Sequence, residues 1–109
     1  MADIDDKAAA EIAISTGADP DGSTVLILTG ELDSSNVEQL DETTSSIVAN
    51  RPSRLVFDLA ELRFMDSAGI SVLVQVATEV ETVLVRNPPP IVKRLIEVTG
   101  LTGVLQIEP

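Results

Sequence analysis

The sequence predicts an α/β domain, a mixed β-sheet of four to five strands flanked by about three to four helices. Two observations carry this expectation. Short apolar runs of strand length alternate with segments whose apolar residues recur at helical spacing, the pattern of strands joined by right-handed crossovers. In addition, 109 residues with a 44% apolar share suit one hydrophobic core and not two. Aromatic residues make up only 2% of the chain, so Val, Ile, Leu and Ala must build that core.

Residues 1–9 are polar, acidic and alanine-rich and are expected to be a frayed N-terminus, leaving residues 10–109 as a single domain. Glu11 to Ser15 reads as a short strand, and Gly17-Ala18-Asp19-Pro20-Asp21-Gly22 as a turn by composition. Thr24 to Thr29 is a continuous apolar run, which suggests a strand covered on both faces, closed by Gly30-Glu31-Leu32-Asp33. Ser35 followed by Glu38 fits a capping box, so a helix is expected to begin there. Its apolar positions Val37, Leu40, Thr44, Ile47 and Val48 fall on one face, and Asn50-Arg51-Pro52 ends it. A strand over Leu55 to Leu59 follows.

The stretch from Ile70 to Val80 reads both ways. Val72, Val74, Val76 and Val80 favour a strand by propensity, whereas Ile70, Leu73, Val74, Ala77 and Val80 form a helical stripe. Its length and its Asp-Ser opening select the helix. Glu81 to Arg86 reads as another strand. Asn87-Pro88-Pro89-Pro90 then breaks the chain and places proline where a helix can start. Beyond it Ile91, Leu95 and Val98 share a face, Gly100 suits a left-handed C-terminal cap, and Val104 to Ile107 reads as a last short strand.

With 18 acidic and 7 basic residues the formal charge is −11. A surface of that sign repels phosphate backbones and anionic lipid, which argues against direct nucleic-acid binding and favours a basic protein partner. The chain has no cysteine, which excludes disulfides and thiolate metal sites and fits a reducing cytoplasm. The opening residues are acidic where a signal peptide needs a basic region, and no apolar run approaches the roughly 20 residues a membrane helix requires. The expectation is a cytoplasmic protein without membrane insertion.

The most informative stretch is Phe64-Met65-Asp66-Ser67-Ala68-Gly69-Ile70. It places one serine, flanked by an aspartate and two small residues, at the start of the helix that follows a strand. A helix N-terminus carries unpaired N–H groups and partial positive charge, so a hydroxyl there can be switched between neutral and dianionic without wrecking the fold. Ser67 therefore reads as a regulatory phosphorylation site.

Four segments in order carry a family resemblance: Leu28-Thr29-Gly30-Glu31-Leu32-Asp33, then Phe64 to Ile70, then Val85-Arg86-Asn87-Pro88, then Val92 to Leu101. Together they resemble the STAS domain of bacterial anti-sigma factor antagonists, over roughly Glu11 to Ile107. The resemblance implies a STAS-type mixed sheet and a partner switch. The unphosphorylated antagonist binds an anti-sigma factor that is also a serine kinase, releasing a sigma factor. The kinase phosphorylates the serine after the motif aspartate, here Ser67, the complex dissociates, and a phosphatase resets it. It also implies that Asp33 lies beside Ser67 and supports its phosphorylation. The docking surface is expected around Asp33, Ser34, Asp66, Ala68, Gly69 and Ile70, on a monomer or weak dimer. Three positions depart from the pattern. Ala68 stands where many relatives carry a second hydroxyl, Ser71 replaces a common glycine, and the Gly69-to-Val83 connection lacks the usual Gly-Gly and suggests a shortened helix.

Other readings of these residues are weaker. Ser67 or Asp66 could simply cap a helix, and Asp33 before Ser34-Ser35 is an ordinary helix-start residue. Asp33, Asp58 and Asp66 would suit Mg²⁺ if clustered, but Asp58 is expected to cap or pair locally. A nucleophilic Ser67 needs a base, and the chain has no histidine or cysteine. No glycine pattern cradles a phosphate. No enzyme activity and no cofactor is expected. Lys93-Arg94 reads as a solvated helix face. The alternatives to an antagonist are an accessory STAS subunit of a membrane transporter, a stress-signalling scaffold, and a weak nucleotide-binding module.

Overall fold

The computed structural model describes residues 10–108, so the fraying expected of residues 1–9 lies outside the described residues. Five strands form one sheet in the order β1-β2-β3-β4-β5: β1 (Ile12–Ala18), β2 (Thr24–Leu32), β3 (Arg54–Met65), β4 (Thr82–Arg86) and β5 (Gln106–Ile107). β1 pairs with β2 antiparallel, and the other three pairings are parallel. Three helices fill the crossovers: α1 (Val37–Val48), α2 (Ser67–Ala77) and α3 (Pro90–Val98), followed by a 3₁₀ turn at Leu101–Gly103.

The sheet is asymmetric in what covers it. Leu26, Leu28, Leu55, Phe57, Leu59, Val83 and Val85 from the strands share one buried cluster with Leu40, Leu73, Val92 and Ile96 from the helices. All three helices thus contribute to the core on one face. On the other face, among the described residues, Val25, Val56 and Leu84 form a small cluster, with Ile27 packed against it. The near-continuous apolar run of β2 reflects this burial on both sides at its start.

Several boundaries differ from the sequence reading. Gly17 and Ala18, expected in a turn, extend β1, and the hairpin turn contracts around Asp19 to Ser23, closed by the Asp19 N–H to Ser23 carbonyl bond. β3 runs to Met65, well past Leu59. It carries two irregularities against β2, one between the Ile27–Asp58 and Thr29–Glu61 pairs and one between the Gly30–Leu62 and Glu31–Phe64 pairs. Each puts one extra residue into β3, a bulge that re-aims the side chains beyond it. Asp58 steadies the first by accepting the Ala60 N–H at 3.1 Å, the local pairing expected of it. Leu59 at the first bulge, Leu62 between the two and Met65 beyond the second all face the core, and Phe64 is turned outward.

The capping box expected at Ser35 and Glu38 does not form. Asn36 occupies the cap position of α1, without a side-chain cap bond, because its side chain is used elsewhere. Its Oδ1 accepts the Asp33 N–H at 3.1 Å and its Nδ2 donates to the Glu31 carbonyl at 2.9 Å. α1 does bury the expected face, with Leu40 and Thr44 inside and Val37, Ile47 and Val48 partly covered. The stretch after Met65 is helical, as its length and Asp-Ser opening predict, and spans 11 residues. In α3 Ile91, Leu95 and Val98 do share a face, but it is not the fully buried one. Val92 and Ile96 point into the core, whereas Ile91 and Val98 are 52% and 67% exposed.

Candidate functional site

The site sits at the carboxyl ends of β2 and β3, where parallel strands feed the loops that start α1 and α2. The register pairs Leu32 with Met65, and the Asp66 N–H donates to the Leu32 carbonyl at 3.2 Å. The segments that follow, Asp33-Ser34 and Asp66-Ser67, therefore leave the sheet side by side. This is the edge at which open parallel sheets present their functional groups.

Asp66 is the N-cap of α2. Its Oδ1 accepts the N–H groups of Ala68 at 2.9 Å and Gly69 at 3.4 Å, and its carbonyl accepts those of Gly69 and Ile70. The aspartate, not the serine, thus satisfies the helix start. Ser67 is the first helical residue and is exposed, and its hydroxyl makes no hydrogen bond among the described residues. Its carbonyl accepts the Ser71 hydroxyl at 2.9 Å one turn later, the role Ser71 takes here.

On the neighbouring loop, Asp33 is half-buried and Ser34 exposed. Asp33 Oδ1 accepts the Ser35 N–H at 2.8 Å and the Ser35 hydroxyl at 2.6 Å. These bonds, the hydroxyl first, hold its carboxyl below the usual aspartate value of 3.8. The structure brings Asp33, Ser34, Asp66, Ser67 and Ala68 to one edge.

Gly69 and Ile70 do not belong to that exposed surface. Both are buried, Ile70 at 6% exposure within the main core. The helical turn explains this: two and three residues past Ser67, the chain has rotated onto the inner face of α2. A Cβ at Gly69 would lie 2.5 Å from Met65 Cγ and 2.7 Å from Leu32 Cδ2, so the glycine permits the close approach of α2 to β2 and β3.

Beside Ser67 lies a feature that the motif did not announce. Phe64, Ile91 and Val98 are exposed apolar side chains, and with Leu95 they line an open groove of about 370 Å³. Met65, Asp66, Ser67 and Arg94 complete its walls. The signal in the sequence was the double apolar stripe of α3: Val92 and Ile96 are buried in the core, Leu95 is half-buried against it, and Ile91 and Val98 are left exposed. Among the described residues no group of three or more acidic side chains is placed to hold a metal ion. No helix among them is long and apolar enough to cross a membrane.

Comparison with known proteins decides the family. The model of the STAS domain matches residues 13–109. The chain belongs to the STAS domain family. Among STAS relatives, the anti-sigma-F factor antagonist RsfB of Mycobacterium tuberculosis is 38% identical over 58 residues, 53% of this chain and 48% of that protein. The match thus spans about half the length of that relative. A crystal structure of an anti-sigma factor antagonist from Mycobacterium paratuberculosis superposes with a TM-score of 0.82 at 27% identity, covering 91% of this chain and 86% of that one. The Bacillus cell fate determinant SpoIIAA in its phosphorylated form gives 0.70 at 24% identity, over 89% and 92% of the two chains, a likeness of fold. The five-stranded mixed sheet with three helices is the STAS architecture expected from the sequence motifs.

Proposed function

We propose that this STAS domain is an anti-sigma factor antagonist working by partner switching. Unphosphorylated, it docks on an anti-sigma factor that is also a serine kinase; phosphorylated on Ser67, it lets go, and a phosphatase restores it. It regulates transcription from the cytoplasm through a protein partner, without binding DNA and without catalysis of its own. The relatives' designation as anti-sigma factor antagonists supports this reading.

The observation that carries it is the exposed Ser67 hydroxyl, relieved of capping duty by Asp66, at the rim of an unburied apolar groove. An apolar patch rimmed by polar groups is the usual mark of a protein-docking face. A kinase approaching Ser67 must cover that groove, with Ala68, Asp33 and Ser34 at its edge. Phosphorylation adds about −1.5 to −2 charges near neutral pH, close to the carboxylates of Asp33 and Asp66. Covering that charge without a cation on the partner costs several kcal/mol, and each 1.4 kcal/mol is about tenfold in affinity. Because the oxygen is solvent-exposed in the free protein, the loss falls on the complex and not on the fold.

Incubation with the cognate anti-sigma kinase and ATP tests the acceptor. Intact-mass spectrometry is expected to show one added phosphoryl group on the wild type and none on Ser67→Ala. A phosphorylated Ser67→Ala protein would remove Ser67 from the proposal.

A further inference from the structure

We infer that Arg94 is the intramolecular receptor for a phosphate on Ser67, and that their pairing across the groove screens its apolar walls. This rests on the reading of Ser67 as the phosphoacceptor.

The helix end by itself is poorly placed to take the phosphate. Of the first four amides of α2, those of Ala68, Gly69 and Ile70 already donate to Asp66. Only the Ser67 N–H is left, and the adjacent Asp66 carboxylate opposes a dianion. A phosphoserine there needs a cation. Of the residues that line the groove, Arg94 is the one cation and Asp66 the one anion.

Arg94 is exposed on α3 and makes no ion pair or side-chain hydrogen bond among the described residues. Arg63 and Arg86, by contrast, are bound to Glu31 and to Asp19 and Glu108. The Arg94 guanidinium can present two parallel N–H donors to a phosphate, the geometry that makes arginine a preferred phosphate partner. Its aliphatic stem can lie along Ile91, Leu95 and Val98 while the charged head crosses toward Ser67.

The chemistry that creates the group is ordinary phosphoryl transfer. The Ser67 Oγ–phosphorus bond forms, the bond from the γ-phosphorus of ATP to its bridging oxygen breaks, ADP leaves, and the hydroxyl proton passes to a base on the kinase. Arg94 takes no part in that step. It acts afterwards, partly neutralising the new charge and drawing its own side chain over the groove. Phosphorylation then weakens docking in two ways: the partner meets a negative charge, and the apolar surface it needs is covered.

The test uses the full chain with phosphoserine inserted at position 67 during translation, so that no kinase is required. Phosphorus NMR titration is expected to show a second phosphate pKa at least ~0.5 units lower with Arg94 than in Arg94→Gln, because a nearby cation favours the dianion, with Arg94→Lys in between. Binding of the neutral apolar dye Nile red is expected to fall at least twofold on phosphorylation in the wild-type background and to be unchanged in Arg94→Gln. Equal phosphate pKa values with and without Arg94, or equal dye binding before and after phosphorylation in the wild type, would overturn the inference. The two ideas fail separately. If the pKa and dye results appear as expected yet phosphoserine does not weaken binding to the anti-sigma factor, the switch is wrong and the Arg94 pairing stands. If phosphoserine weakens binding while the phosphate pKa ignores Arg94, the reverse holds.

Discussion

Asp66 Oδ1 accepts the Ala68 N–H at 2.9 Å, one residue beyond the exposed Ser67. The two neighbours thereby divide two tasks, since the carboxylate closes the helix start and the hydroxyl stays available to solvent. Removing the cap isolates its contribution. Asp66→Ala is expected to cost about 1 kcal/mol, a drop of about 4–8 °C in melting temperature for a domain of this size, whereas Asp66→Asn retains most of it. Thermal melts followed by circular dichroism check this.

The groove variants separate binding from folding. Ile91 and Val98 are 52% and 67% exposed, so Ile91→Gln and Val98→Gln are expected to change stability by no more than about 0.5 kcal/mol. Each is expected to weaken binding to the anti-sigma factor about tenfold or more, measured by calorimetry. Val92→Gln, one position from Ile91 but fully buried, is expected instead to lower the melting temperature sharply.

Two glycines with left-handed backbone differ in their surroundings. Gly30 has φ of +111° at the second bulge, and a Cβ there would collide with the Glu11 backbone carbonyl. Gly100, which ends α3 with φ of +75°, has open space where a Cβ would go. Gly100→Ala is therefore expected to cost about 1 kcal/mol and Gly30→Ala at least about 3 kcal/mol, in a urea titration.

Acid sensitivity follows from the carboxylates. Hydrogen bonds from Arg86 hold Asp19 and Glu108 below their ordinary values of 3.8 and 4.5, and Ser35 does the same for Asp33. Between the folded and unfolded pKa values the unfolded chain binds more protons, so stability is fully present above the ordinary values and is lost as pH falls through the lowered ones. The melting temperature is expected to be flat above about pH 5 and to fall below about pH 4, less steeply in Arg86→Gln.

What the sequence made legible was chiefly local. The Asp-Ser helix start, the cap at Gly100, the prolines before α3 and the local pairing of Asp58 each follow from residues within a few positions of one another. What it hid was set at a distance. The bulges in β3 arise from its pairing with β2: the first turns Leu62 into the core against simple alternation, and the second restores the alternation, so that Met65 faces in and Phe64 out. The capping box at Ser35 and Glu38 lost to the bonds of Asn36 with Asp33 and Glu31, partners on the preceding strand and loop. The burial of Gly69 and Ile70 was legible in principle, since helical rotation carries them away from Ser67. Which stripe of α3 met the core depended on how the helix lay against the sheet, and so the groove became visible only in the assembled fold.

The most direct measurement is the calorimetric affinity for the cognate anti-sigma factor of the wild type, Ser67→Ala and Ser67→Glu, with thermal melts alongside. Ser67→Ala is expected to bind like the wild type, and Ser67→Glu at least about tenfold more weakly at near-unchanged melting temperature. Equal affinity of all three proteins would mean that charge at Ser67 does not control docking.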